Sequence, residues 1–173
     1  MSPQSITYLE YSSLAELYHH YVREFVQVSP IVASCGCRIH CYEHHFVHMI
    51  KLYDPARPGF LFTDVKQQIL DTGEGFGIYT HDALRAKWLL LALETLKTPD
   101  MVVRTAGLAT SDRAFIKNFG RAPYPYVVAL VGRDGGLLTL RTAFPCKRNR
   151  MKKWATGEVL FPKTPQPPVE EAV

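Results

Sequence analysis

The most regular run of hydrophobic positions lies between residues 80 and 96. Leu84, Trp88, Leu91 and Thr95 recur at three- and four-residue spacing, and Leu89, Leu93 and Leu96 widen the stripe. The pattern predicts one long, central helix. Thr80 is placed as its N-cap, with Asp82 in the first turn where the helix dipole favours an acid, and Pro99 ends it. A second helical repeat, Leu14, Leu17, Tyr21 and Phe25, starts behind Ser12-Ser13 and stops before Ser29-Pro30. A short helix is expected from Thr63, read as its cap, to about residue 70.

Other stretches alternate instead. Residues 31–42 read as extended chain with a bend at Gly36. Over its second half Cys37, Ile39 and Cys41 fall on one face, and Arg38, His40 and Tyr42 on the other. A short strand is expected over 101–106. A hairpin is expected over 126–131 and 137–144, around the turn Arg133-Asp134-Gly135-Gly136. A helical turn over 151–155 and a last strand over 159–161 follow. Residues 109–124 read as irregular, and 54–59 and 71–77 as loops. Residues 44–53 fit two periods. A strand would align His44, Phe46, His48 and Ile50, whereas a helix would gather His44, His48 and Lys51. Runs of helix followed by runs of strand argue an α+β fold.

A length of 173 residues suits one domain, set at 1–162, with a tail at 163–173 whose prolines at 165, 167 and 168 predict disorder. No apolar run approaches the roughly 20 residues of a membrane helix. The first residues lack the basic-then-apolar layout of a signal peptide, so a cytoplasmic protein without membrane association is expected. Net charge is only +4, but residues 147–153 read KRNRMKK with no acid among them, a run that attracts phosphate. Of four cysteines, Cys35, Cys37 and Cys41 crowd into seven positions, a poor disulfide framework that fits reduced thiols.

Chemistry concentrates in EHHFVHMIKL, residues 43–52, which carries His44, His45, His48 and Lys51. Cleavage of RNA by internal transfer needs a base for the 2′-hydroxyl proton, an acid for the leaving 5′-oxygen and a cation for the crowded phosphorane. Histidine titrates in the right range for either proton step, and lysine or arginine supplies the charge. His81 and Arg85 share a face at the start of the long helix, where phosphate is favoured. Thr142, at the end of the hairpin's second strand, offers a hydroxyl to a phosphate oxygen. In a regular strand Arg141 points to the opposite face, so both line one site only across a bulge. A competing reading makes the Cys35, Cys37, Cys41, His44, His45 and His48 group a zinc site, although its spacing matches none of the familiar knuckles.

Three segments in this order resemble the phage- and mobile-element-linked nucleases of the superfamily named for barnase, EndoU, colicins and RelE. They are HHFVHMIKL at 44–52, HDALRAKWLLLALETLKTPDMVV at 81–103 and VVALVGRDGGLLTLRTAF at 127–144. The resemblance implies helices packed on a twisted antiparallel sheet with a C-terminal hairpin. It also implies metal-independent RNA cleavage through a 2′,3′-cyclic phosphate, and a toxin or phage-conflict role opposed by an antitoxin or immunity protein. Carried onto this chain, it points to His48, Lys51, Arg85 and Thr142 as catalytic, with His45 and His81 in reserve at the substrate.

The expectation is therefore an endoribonuclease needing no cofactor or metal. Its partner is RNA, whose flanking phosphates meet Lys147, Arg148 and Arg150. The rivals are a non-catalytic RNA- or protein-binding module, a zinc-containing domain and, last, an ADP-ribosyltransferase-like transferase.

Overall fold

The computed structural model describes residues 7–105 and 111–162. The expected tail at 163–173 lies outside them. Helix α1 spans Leu14–Tyr21, capped by the Ser13 hydroxyl, which accepts from the Glu16 N–H. A wider π turn, Val22–Val26, carries it on, and Leu14, Leu17, Tyr21 and Phe25 are all fully buried. Two short strands follow, β1 (Ile31–Val32) and β2 (Arg38–His40), with Gly36 at positive φ in the bend between them. The ambiguous segment is helical: a 3₁₀ turn over Glu43–His45 runs into α2, Phe46–Met49. Helix α3 spans Phe62–Leu70. Its N-cap position is Leu61, so Thr63 lies inside the helix instead of capping it.

The long helix is not continuous. Helix α4 (Ala83–Lys87) and α5 (Leu89–Lys97) meet at Trp88, whose φ of −98° and ψ of 15° break the helical path. No proline or glycine causes this. The Lys87 carbonyl, which a continuous helix would pair four residues on, accepts instead from the Leu9 N–H at 2.9 Å. The extended segment before α1 thus bends the helix. The cap is also displaced. Asp82, not Thr80, accepts from the N–H groups of Leu84 and Arg85, while Thr80 pairs its backbone with Tyr53.

Strands β3 (Met101–Arg104), β4 (Arg113–Asn118), β5 (Tyr126–Asp134) and β6 (Leu137–Cys146) are followed by α6 (Arg148–Trp154) and β7 (Val159–Phe161). They complete a seven-stranded sheet in the order β1-β2-β6-β5-β4-β3-β7, antiparallel except where β2 meets β6. Strand β4 falls where irregular chain was expected. Its Ala114, Phe115 and Ile116 are buried in succession because the sheet is covered on both faces, which erases the alternation that marks a half-exposed strand. The β5–β6 turn places Gly135 and Gly136 at φ 55° and 88°, values that suit glycine, as the Asp-Gly-Gly signal predicts.

The main core joins α1, α2, α3 and α5 to one sheet face through Phe115, Val127, Ala129, Val131, Leu140 and Ala143. Ala114, Ile116, Val128 and Cys146 form the other face, against Met151 and Trp154 of α6. The fold is α+β, with helices on a mostly antiparallel sheet. Replacing the cap, Asp82→Ala, is expected to lower stability by about 1 kcal/mol, whereas Thr80→Ala shifts it by less than about 0.5 kcal/mol. Urea unfolding of the two variants measures the difference.

Candidate active site

A single irregularity in β6 opens the site. Leu130 of β5 pairs with Thr142, but Val131 pairs with Leu140, so Arg141 is one residue too many for its partner strand. Leu140 and Ala143 both face the main core. The two residues between them both line a cavity of about 700 Å³ on the β2 side of β6. The bulge removes the obstacle that a regular strand would raise, and Arg141 joins Thr142 at one site.

Strand β2 pairs with β6 only at Leu138 and Thr139. Past that point the chain leaves the sheet through the 3₁₀ turn and α2, which cover the flank of β6. His45 at the end of the 3₁₀ turn, His48 in α2 and Lys51 just past its C-cap all reach the cavity. His44, expected to share their face in a regular helix, is exposed and does not line it.

Thr142 ties the walls together. Its hydroxyl donates to the His48 carbonyl at 3.0 Å and accepts from Arg85 Nη1 at 3.2 Å. Arg85 Nη1 also lies 3.4 Å from the His48 carbonyl. The bend at Trp88 lets α4 bring Arg85 here, where Asp82 holds its Nε at 3.7 Å and the Phe144 ring lies 5.3 Å beneath the guanidinium.

Lys51 has φ 51°, the one non-glycine residue in the left-handed region among the described residues. It occupies the position after the α2 C-cap, and the next N–H, of Leu52, donates back to the Val47 carbonyl at 2.8 Å. That is the Schellman arrangement, in which glycine usually stands. The left-handed backbone costs a side chain about 1 kcal/mol, yet here a lysine reaches the cavity rim from it.

The electrostatics are uneven. His45 is only 4% exposed, and burial, reinforced by the charges of His44, Arg141 and His48, pushes its pKa down to about 4. Its Nε2 accepts from Arg141 Nη1 at 3.4 Å, while its Nδ1 and the Arg141 Nε have no partner. A second nitrogen of Arg141 donates to the Asp134 carboxylate. His48 stands at the open side of the cavity, and partial burial followed by His44 and Arg141 lowers its pKa below 6.5. The cavity wall thus carries two neutral imidazoles and three cations, Lys51, Arg85 and Arg141, with no carboxylate among its lining. Such a surface binds an anion and accepts a proton.

Of the residues singled out in the sequence, His45, His48, Lys51, Arg85 and Thr142 converge on this cavity. His81 does not. It stacks on Phe76 at 3.8 Å and meets the Tyr11 hydroxyl at 3.0 Å. Lys147, Arg148 and Arg150 are exposed at the start of α6, outside the cavity, with Lys147 over the Tyr124 ring at 5.5 Å. The zinc grouping does not assemble: among the described residues no three His, Cys, Asp or Glu side chains gather as metal ligands. Cys41 is buried in the main core and Cys37 meets Arg113 at 3.6 Å. Val47, Leu52, Tyr53 and Arg141 are the lining residues that sequence reasoning left out of the site. The extra residue in β6 is the only sequence signal that could have found Arg141, and it is readable only once the register is known.

The fold is thus a seven-stranded sheet with helices on both faces and a cationic, histidine-bearing cavity beside its β2–β6 junction. Residues 46–162, more than half of the chain, match the family described as phage-Barnase-EndoU-ColicinE5/D-RelE like nuclease 2, and the chain belongs to that family. No curated protein and no solved structure matches it. Among the described residues no helix is long and apolar enough to cross a membrane.

Two stability predictions follow from the site. His45 binds its proton less readily folded, at about pH 4, than unfolded, at 6.5. Its contribution is therefore present above pH 6.5 and lost as pH falls toward 4, a loss of about 3 kcal/mol. His45→Leu is expected to flatten that part of the pH–stability curve in urea melts. Lys51→Gly is expected to raise stability by about 1 kcal/mol by relieving the left-handed backbone. The same variant loses nuclease activity, so melting and cleavage move in opposite directions.

Proposed function

We propose that this nuclease is an endoribonuclease that cuts by 2′-hydroxyl transesterification without a metal. The observation that carries the reading is the convergence of His48, Lys51 and Arg85 on one anion-binding cavity, with Thr142 bridging two of them.

In this reading His48 is the base. Its lowered pKa keeps it neutral and proton-accepting near pH 7. It takes the 2′-hydroxyl proton, the oxygen attacks the adjacent phosphorus, and the bond to the 5′-oxygen breaks as that oxygen takes up a proton from water at the open side of the cavity. The products are a 2′,3′-cyclic phosphate and a 5′-hydroxyl. Lys51 and Arg85 hold the phosphate and stabilise the charge on the phosphorane. The Thr142 hydroxyl already gives its hydrogen to the His48 carbonyl, so it positions His48 and Arg85 rather than touching the phosphate first. His45 lines the wall beside Arg141, while His81, stacked on Phe76 and hydrogen-bonded to Tyr11, lies outside the cavity and takes no part. Lys147, Arg148 and Arg150, none of which forms a salt bridge among the described residues, bind flanking phosphates.

The family resemblance extends the reading to a toxin or phage-conflict effector. It would act on cytoplasmic RNA and be held in check by an antitoxin or immunity protein that covers the cavity. Induced expression is expected to arrest growth, and His48→Ala to relieve the arrest.

Purified protein is expected to cut single-stranded RNA in EDTA, leaving cyclic-phosphate ends. His48→Ala and Thr142→Ala each lower the rate at least about tenfold, the low end for losing a proton-transfer group. Because His48 must be neutral, kcat/KM rises with pH and levels off with a midpoint below 6.5, on the side set by its lowered pKa. Intact RNA after incubation with folded protein, or a rise centred above pH 7, defeats the reading.

A further inference from the structure

Arg141 is the one cation at the cavity that neither the histidine-lysine motif nor the helix start accounts for. It is there because β6 is a residue longer than β5 at this point. Two groups then fix its direction. One terminal nitrogen donates to Asp134, next to the hairpin turn, and the other to His45 Nε2 at 3.4 Å. Asp134 is itself held by the Thr139 hydroxyl at 3.0 Å. Arginine offers donors only, so the contact with His45 requires a lone pair on Nε2, and burial of His45 keeps that nitrogen unprotonated. Each terminal nitrogen of Arg141 keeps one further hydrogen. The side chain is 28% exposed, so those hydrogens are within reach of a ligand in the cavity.

We propose that Arg141 is the principal phosphate ligand of this site, presented as a two-pronged donor by the β6 bulge, with Asp134 and His45 as positioning residues that hold it. The inference deepens the endoribonuclease reading by naming what grips the scissile phosphodiester. It also gives the bulge a purpose. A regular strand would turn this guanidinium to the far face, leaving Lys51, a single flexible ammonium, and Arg85, already engaged with Thr142 and Asp82. A planar fork held on its outer edge meets two phosphate oxygens at once, which an ammonium cannot do. Asp134 also keeps the site from carrying a fully unbalanced charge before RNA arrives.

Binding of adenosine 3′-monophosphate at pH 7, followed by calorimetry, tests the proposal apart from catalysis. Arg141→Ala is expected to weaken binding at least about tenfold, and added guanidinium ion to restore part of it. Arg141→Lys recovers little, because an ammonium cannot serve Asp134, His45 and phosphate in one plane. Asp134→Asn, nearly the same shape, raises KM for RNA several-fold and leaves kcat close to its starting value, the mark of a loosened binding group. Binding by folded Arg141→Ala within about twofold of the unaltered chain overturns the proposal. Should that variant not fold, unweakened binding by Arg141→Lys overturns it equally. Uncut RNA with the unaltered protein defeats the endoribonuclease reading alone, and the phosphate claim then stands or falls on the calorimetry.

Discussion

Between Leu130 and Val131 the pairing of β5 and β6 slips by one residue, and the geometry of the site follows from that slip. Without it, Arg141 and Thr142 would lie on opposite faces, one against the sheet's far side and one toward α2. With it, both meet the helical segment that β2 releases once its two paired residues are spent. The hydrogen bonds of Thr142 then convert proximity into fixed distance. A carbonyl from α2 and a guanidinium from α4 share one hydroxyl from β6. Three elements far apart in sequence are thereby held together at one cavity.

The same site holds several features that stability alone would not select. Lys51 takes a left-handed backbone where glycine would sit without strain. His45 is buried neutral with an unpartnered ring nitrogen, and the Arg141 Nε is equally without a partner. Unpaired buried polar atoms are expensive, and three costs around one cavity mark a region shaped by a task. The rest of the fold shows the opposite habit, with full burial of Leu14, Leu17, Phe25, Leu96 and Phe115.

Much of this was legible in the sequence, and the limits have physical causes. Local signals read well. The Leu14–Phe25 stripe, the bend at Gly36 and the Asp-Gly-Gly turn all depend on neighbours a few residues away. Long-range effects did not read. Strand β4 was hidden because burial on both sheet faces removes its alternation. The break at Trp88 comes from a carbonyl captured by a residue nearly eighty positions earlier. The site behaved the same way. His48, Lys51, Arg85 and Thr142, singled out by residue type and by the family resemblance, do line the cavity, whereas Arg141 needed the register, and the helical reading that grouped His44 with His48 and Lys51 fails because a 3₁₀ turn precedes α2.

The hydrogen bond from Leu9 to the Lys87 carbonyl reaches beyond helix geometry. Leu9 lies before residue 46, where the match to the family begins, while Arg85 lies inside it. The aim of Arg85 is thus set by a strap from the segment that leads into α1. A chain cut back to the shared region would keep every side chain of α4 and lose the tie that tilts it. The segment around Leu9 therefore works as a sighting device: altering it re-aims the site without touching a residue of the cavity wall.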